Sequence, residues 1–171
     1  TREIGYLFGQ YKRITNRYES GVLTGKGTNW GGALVRTEAT GYGMVYFTTR
    51  MLEDRKTSWK GRTVVISGSG NVAIYGIQKC QQLGANVVAC SDSNGYIVDE
   101  AGINLDTVKR IKELERGRIK EYVQVHPKAK YFEGCSGIWT VPCDVALPSA
   151  TQNELDGEAA KILVKNGCIA V

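Results

Sequence analysis

Thr63-Val64-Val65-Ile66-Ser67-Gly68-Ser69-Gly70-Asn71-Val72-Ala73 passes from four consecutive β-branched residues into a glycine pair and then into helical spacing. An apolar run bounded by glycines predicts a buried strand of a parallel sheet. Asn71 to Leu83, with Val72, Ile77, Cys80 and Leu83 able to face that sheet and Gly84 placed to end it, predicts the next helix. The turn between them reads Gly-x-Gly-x-x-Ala. Its first glycine permits the tight turn, its second lets backbone approach a pyrophosphate, and the small Ala73 lets helix and strand pack closely. Backbone N–H groups and the helix dipole then attract phosphate charge.

Outward from this motif, Val87 to Cys90 predicts a second strand. Asp92 stands 19 residues beyond Ala73, near the spacing at which an acid meets a cofactor ribose. A carboxylate there suits NAD, or merely a strand-end turn. The hydroxyls of Ser91 and Ser93, with Lys112, Arg116 and Arg118 as cations, suit the 2′-phosphate of NADP, so both cofactors stay open. Asp144 to Leu147, ended by Pro148, predicts a third strand, Leu155 to Lys165 a helix stopped by Gly167, and Cys168 to Val171 a fourth strand. Tyr96-Ile97-Val98 reads as a short excursion, followed by helical stretches over Leu105–Glu115 and Ile119–Val125. Strands alternating with helices predict an α/β, Rossmann-like doubly wound parallel sheet with right-handed crossovers.

Upstream, Ile4, Leu7, Phe8, Tyr11 and Ile14 mark one face of an amphipathic helix. Five glycines between Gly21 and Gly32 mark a structured loop, and Ala39 to Arg55 is helical again. Gly21-Val22-Leu23-Thr24-Gly25-Lys26-Gly27 is not a Walker A loop, because it has three residues between the glycines and no hydroxyl after the lysine.

Composition excludes several classes. The 171 residues are 42% hydrophobic and 23% charged, a soluble globular balance. No apolar run reaches the roughly 18 residues of a membrane span, and Thr1 to Ile4 has no signal-peptide pattern. The net charge of +5 is scattered, without the like-charge runs of a nucleic-acid arm. The five cysteines lack C-x-x-C spacing, so a zinc ribbon is excluded and a reducing compartment is expected, which places the protein in the cytoplasm. His126 is the only histidine, and no metal site is expected. Both ends look cut, so the chain reads as a segment of a longer protein.

Several blocks in order resemble the hexameric glutamate dehydrogenases of bacteria and lower eukaryotes, over essentially the whole chain: Arg2 to Tyr6, Gly9 to Lys12, Gly21 to Gly27, Glu38 to Gly43, Ser67 to Asn71, Ser91 to Ser93, and Ala150 to Glu154. The resemblance implies reversible NAD(P)-dependent oxidative deamination of L-glutamate to 2-oxoglutarate and ammonia by a homo-hexamer, with no nucleic-acid or membrane partner. Residues 1–38 would end a substrate and oligomerisation domain, and 39–171 would begin a dinucleotide domain. Thr40, Gly68, Ser69, Gly70, Asn71, Val72, Asp92, Ser93, Ala150, Thr151 and Gln152 are implied to contact the cofactor, and Arg36 the substrate. Asn71 either donates to a pyrophosphate oxygen or caps its helix, Thr40 contacts the cofactor or caps its own helix, and Arg36 has a surface salt bridge as its alternative. Asp92-Ser93 resembles the NADP-using branch, although the region before Arg118 is about three residues short of the family pattern. No residue matches the family's catalytic lysine or aspartate, so the chain alone is expected to be inactive. A non-catalytic nucleotide-binding module, and a leucine, valine or phenylalanine dehydrogenase, are the alternatives.

Overall fold

The computed structural model describes residues 2–34 and 36–171, and the chain divides into two compact units, Thr1–Thr40 and Gly41–Val171. In the first unit, helix α1 (Arg2–Thr15) buries Phe8, which meets Tyr18 edge-on at 5.3 Å. Leu7 and Ile14 of the same stripe are exposed. The glycine-rich stretch closes on itself: Gly32 N–H donates to Gly27 O at 3.1 Å, and a Cβ at Gly32 would sit on the Lys26 carbonyl. Lys26 is buried and donates to Val22 O at 2.7 Å. This lysine holds a loop instead of facing a phosphate.

Helix α2 (Arg36–Asp54) leads into the second unit, where β1 (Thr63–Ile66), β2 (Asn86–Ser91) and β5 (Val145–Leu147) run parallel. Helix α3 (Asn71–Gln82) crosses from β1 to β2. Within β1, Val64 and Ile66 face one apolar layer with α2 and α3, while Val65 faces the other with Ile138, Trp139 and Leu163. This period-2 alternation covers both faces and explains why the strand reads as a continuous apolar run. Gly41 lets α2 approach α3, since a Cβ there would lie 2.6 Å from Val72 O.

β2 carries a bulge. Val64 pairs with Val87 but Val65 pairs with Ala89, so Val88 is the extra residue, and Val88 and Ala89 both enter the same layer. Gly84, at φ +87°, ends α3 as expected.

The far edge departs from the expected all-parallel sheet. Tyr96 to Val98 belongs to β3 (Gly95–Val98), which pairs antiparallel with β2 and with β4 (Lys130–Glu133), giving the order β4-β3-β2-β1-β5. A turn of four residues or fewer permits only an antiparallel return. The stretch from Leu105 divides into α4 (Leu105–Lys109) and a π-helical turn over Arg110–Leu114. Ile119–Glu121 is a 3-10 turn leading into α5 (Tyr122–Val125). After the 3-10 turn Cys135–Thr140 and β5 comes α6 (Gly157–Lys165), two residues shorter at its start than expected because Asp156 caps it by accepting from Ala159 N–H. Cys168 to Val171 does not extend the sheet as a strand and joins it through a single bridge, Ala170 to Val145. Among the described residues no helix is long and apolar enough to cross a membrane, and no cluster of three acidic, cysteine or histidine groups is placed to hold a metal.

Candidate functional site

β1 lies between β2 and β5, so the chain leaves it on one side and returns on the other. Such a switch point opens a crevice at the carboxyl ends of the strands. A cavity of about 740 Å³ lies there, lined by the three segments that follow β1, β2 and β5: Gly68 to Asn71, Ser91 to Ser93, and Ser149 to Glu154. A second hollow of about 540 Å³ reaches Thr63 and Asn86, at the amino ends of β1 and β2. It has neither a glycine turn nor a helix start.

The glycine turn is fixed from both neighbouring strands. Gly68 adopts φ +83°, which L side chains rarely adopt, and a Cβ there would lie 3.1 Å from Ser149 O. Its N–H donates to the buried Ser91 Oγ at 2.8 Å, while Ser149 N–H donates to Ser67 Oγ at 2.8 Å. Gly70 is the N-cap of α3 and supplies no side-chain acceptor, so the first-turn amides remain available to an anion. A Cβ at Gly70 would meet nothing within 4 Å. That open space is what close approach of a pyrophosphate needs. With Gly70 as the cap, Asn71 is the first helical residue and does not cap α3.

Asp92 sits deeper than a ribose-binding acid is expected to. Its Oδ1 accepts from Asn94 N–H at 2.9 Å and Gly95 N–H at 3.3 Å, and its Oδ2 accepts from Ile119 N–H at 2.9 Å. The side chain is only 6% exposed, with Lys112 Nζ 3.9 Å away. Ser93 is exposed at the lip, where Arg118 Nη1 donates to its Oγ at 2.9 Å. Lys112, in the π-helical turn, also donates to Gly117 O at 2.9 Å and thereby ties the turn to the approach of Arg118.

The third wall is held by Glu154, whose Oε1 accepts from Ala150 N–H at 3.0 Å and whose carbonyl accepts from Trp139 Nε1 at 3.1 Å. Ala150, Thr151 and Gln152 therefore reach the cavity together with Gly68, Ser69, Gly70, Asn71, Asp92 and Ser93. Val72 does not line it, its carbonyl facing Gly41 instead. Thr40 belongs to the first compact unit. Arg36 opens α2, and its side chain lies outside the described residues. Cys135, Ser136, Trp139 and Ser149 also line the cavity, and no motif singles them out. His126 is occupied elsewhere, 3.0 Å from Thr107 Oγ1 and stacked on Tyr122.

The crevice, the uncapped helix start and the strand order are those of a Rossmann-like α/β protein. A model of the Glutamate/Leucine/Phenylalanine/Valine dehydrogenase family matches residues 31–171, and the chain belongs to that family. It is 55% identical to the NADP-specific glutamate dehydrogenase of Helicobacter pylori strain 26695, over 99% of this chain and 39% of the relative. It is 51% identical to the NAD(P)-specific glutamate dehydrogenase of Xylanibacter ruminicola, over 99% of this chain and 38% of the relative. The crystal structure of Plasmodium falciparum glutamate dehydrogenase superposes with a TM-score of 0.86 at 48% identity, covering 98% of this chain and 36% of that one. The chain thus spans about two fifths of the length of the curated relatives it matches.

Proposed function

We propose that the whole protein is a glutamate dehydrogenase that prefers NADP, catalysing reversible oxidative deamination of L-glutamate to 2-oxoglutarate and ammonia. On this reading residues 39–171 supply the nucleotide-binding part, and residues 1–38 the end of a substrate and oligomerisation domain that builds a cytoplasmic homo-hexamer. The name of the Helicobacter relative at 55% identity supports the substrate and the cofactor.

One observation favours NADP over NAD. The Asp92 carboxylate already accepts three backbone N–H groups, and the Arg118–Ser93 pair stands beside it at the lip. An acid so engaged does not need a ribose hydroxyl as a partner. A guanidinium and a hydroxyl 2.9 Å apart form a donor pair suited to a 2′-phosphate. The α3 amides would hold the pyrophosphate, with Asn71 donating to it, and Ala150 to Gln152 would border the nicotinamide ribose. The bound nicotinamide supplies hydride acceptance and donation at its ring. Thr40 and Arg36 are assigned to cofactor and substrate respectively. No residue of this chain is assigned as the catalytic lysine or aspartate, so the chain alone is inactive.

The test is reductive amination by the full-length protein with NADPH and NADH in parallel, on 2-oxoglutarate and on branched-chain and aromatic oxo acids. Faster turnover of 2-oxoglutarate with NADPH is expected. Faster turnover of the other oxo acids would make it a leucine, valine or phenylalanine dehydrogenase, and binding of nucleotide without turnover would leave a non-catalytic module.

A further inference from the structure

At the amino end of β5, at the end of the sheet opposite the cavity, two thiols meet. The chain after α6 runs beside β5, with Ile169 N–H donating to Asp144 O at 2.8 Å and Ala146 N–H donating to Ala170 O at 3.0 Å. Cys143 and Cys168 each precede one member of the hydrogen-bonded pair Asp144 and Ile169. Both side chains enter the layer that holds Trp139 and Leu163, and the Cys168 thiol reaches Ala170 O at 3.2 Å beside β5. Neighbouring strands lie about 4.8 Å apart, within the Cα separation of roughly 4.4–6.8 Å that a disulfide spans. The remaining cysteines stand apart: Cys80 and Cys90 lie in the opposite layer, and Cys135 is exposed at the cavity.

We propose that Cys143 and Cys168 form a dithiol modification site, oxidised to an intramolecular disulfide by low-molecular-weight disulfides such as oxidised glutathione. Cys143 is buried, whereas Cys168 is partly exposed and is the thiol an oxidant reaches. The neighbouring Cys143 thiol holds the Cys168 pKa below the ordinary thiol value, against the opposing effect of burial. The neighbouring Cys168, then burial, raise the Cys143 pKa and keep that thiol protonated. The Cys168 thiolate attacks one sulfur of oxidised glutathione, whose S–S bond breaks, and one glutathione leaves as a thiolate and takes a proton from solvent. Cys143 then gives its proton to solvent and attacks the Cys168 sulfur of the mixed disulfide, expelling the second glutathione. Two cysteine thiols are oxidised and one glutathione disulfide is reduced to two thiols.

The experiment treats the reduced full-length protein with oxidised glutathione at neutral pH, blocks remaining thiols with N-ethylmaleimide, and maps the digested peptides by mass spectrometry. The expected product is a peptide pair linked through Cys143 and Cys168 that dithiothreitol separates. Cys143→Ser should trap Cys168 as a stable glutathione adduct, and Cys168→Ser should leave Cys143 unmodified. The proposal is overturned if wild-type Cys168 stops at a glutathione adduct, if the link joins any other cysteine, or if both thiols stay free while Cys135 reacts.

Discussion

Gly68 and Ser91 hold each other across the ends of two parallel strands: Gly68 N–H donates to Ser91 Oγ at 2.8 Å, and Ser91 N–H returns to Gly68 O at 3.3 Å. Ser91 is 2% exposed, so its loss leaves the Gly68 amide buried without an acceptor. Ser91→Ala should destabilise the protein by about 1–3 kcal/mol and weaken nucleotide binding several-fold. Urea unfolding and a fluorescence titration with NADPH measure the two effects. An unchanged unfolding midpoint would mean that water replaces the hydroxyl.

The two glycines of the turn should fail differently. Gly68→Ala meets a φ of +83° and the Ser149 carbonyl, and should lower stability by roughly 1–3 kcal/mol. Gly70→Ala has an ordinary φ of −88° and open space, and should change stability by no more than about 0.5 kcal/mol. Its methyl group nevertheless enters the space assigned to the pyrophosphate, so NADPH affinity should fall at least tenfold. Full affinity in Gly70→Ala would remove the pyrophosphate from this turn.

Cofactor choice should follow the lip. Arg118→Ala and Ser93→Ala should each weaken NADPH by about 10- to 100-fold, the range of a charge-assisted hydrogen bond, and change NADH by much less. Dissociation constants for both cofactors decide this, and equal losses would take the pair out of the 2′-phosphate site.

Alkaline pH should destabilise the sheet. Burial raises the thiols of Cys80 and Cys90 from 9.0 to about 12, with the Asp92 charge adding to the effect at Cys90 and Lys112 opposing it. Unfolded thiols release their protons near pH 9 while the folded ones stay neutral. Their contribution is therefore complete below that pH and lost as pH rises towards 12. Stability should decline by roughly 1 kcal/mol per pH unit for each thiol. Denaturant midpoints followed upward from pH 8 should fall less steeply in Cys90→Ala, and identical slopes would refute the assignment.

The parallel half of the sheet is legible because β1 and β2 are covered on both faces and bounded by glycines. The antiparallel edge is not: Lys130-Tyr131-Phe132-Glu133 is mostly exposed, and its pairing to β3 is a tertiary choice that local pattern does not encode. The π-helical turn at Arg110–Leu114 has the same spacing of charges as an ordinary helix. At the site, the glycine turn and Ala150 to Gln152 announce themselves through motif and position. Asp92 shows the limit of spacing alone, because the partners of its carboxylate, Asn94, Gly95 and Ile119, come together only when the chain folds. Trp139 and Ser149 carry no sequence signal, being ordinary residues that the crossover and the strand end bring to the cavity.

The bulge at Val88 acts as a phase setter for everything downstream on β2. Side chains on a strand alternate faces, so one extra residue inverts the parity of all those that follow. With Val88 in place, Cys90 joins the layer of Val87 and Ser91 turns its hydroxyl to the Gly68 amide. Pair the same residues without the bulge and the count is off by one: Cys90 would arrive where Ser91 now sits, with a thiol in place of the hydroxyl at the Gly68 amide. The contact that fixes the nucleotide loop thus depends on a miscount, by one residue, between two neighbouring strands.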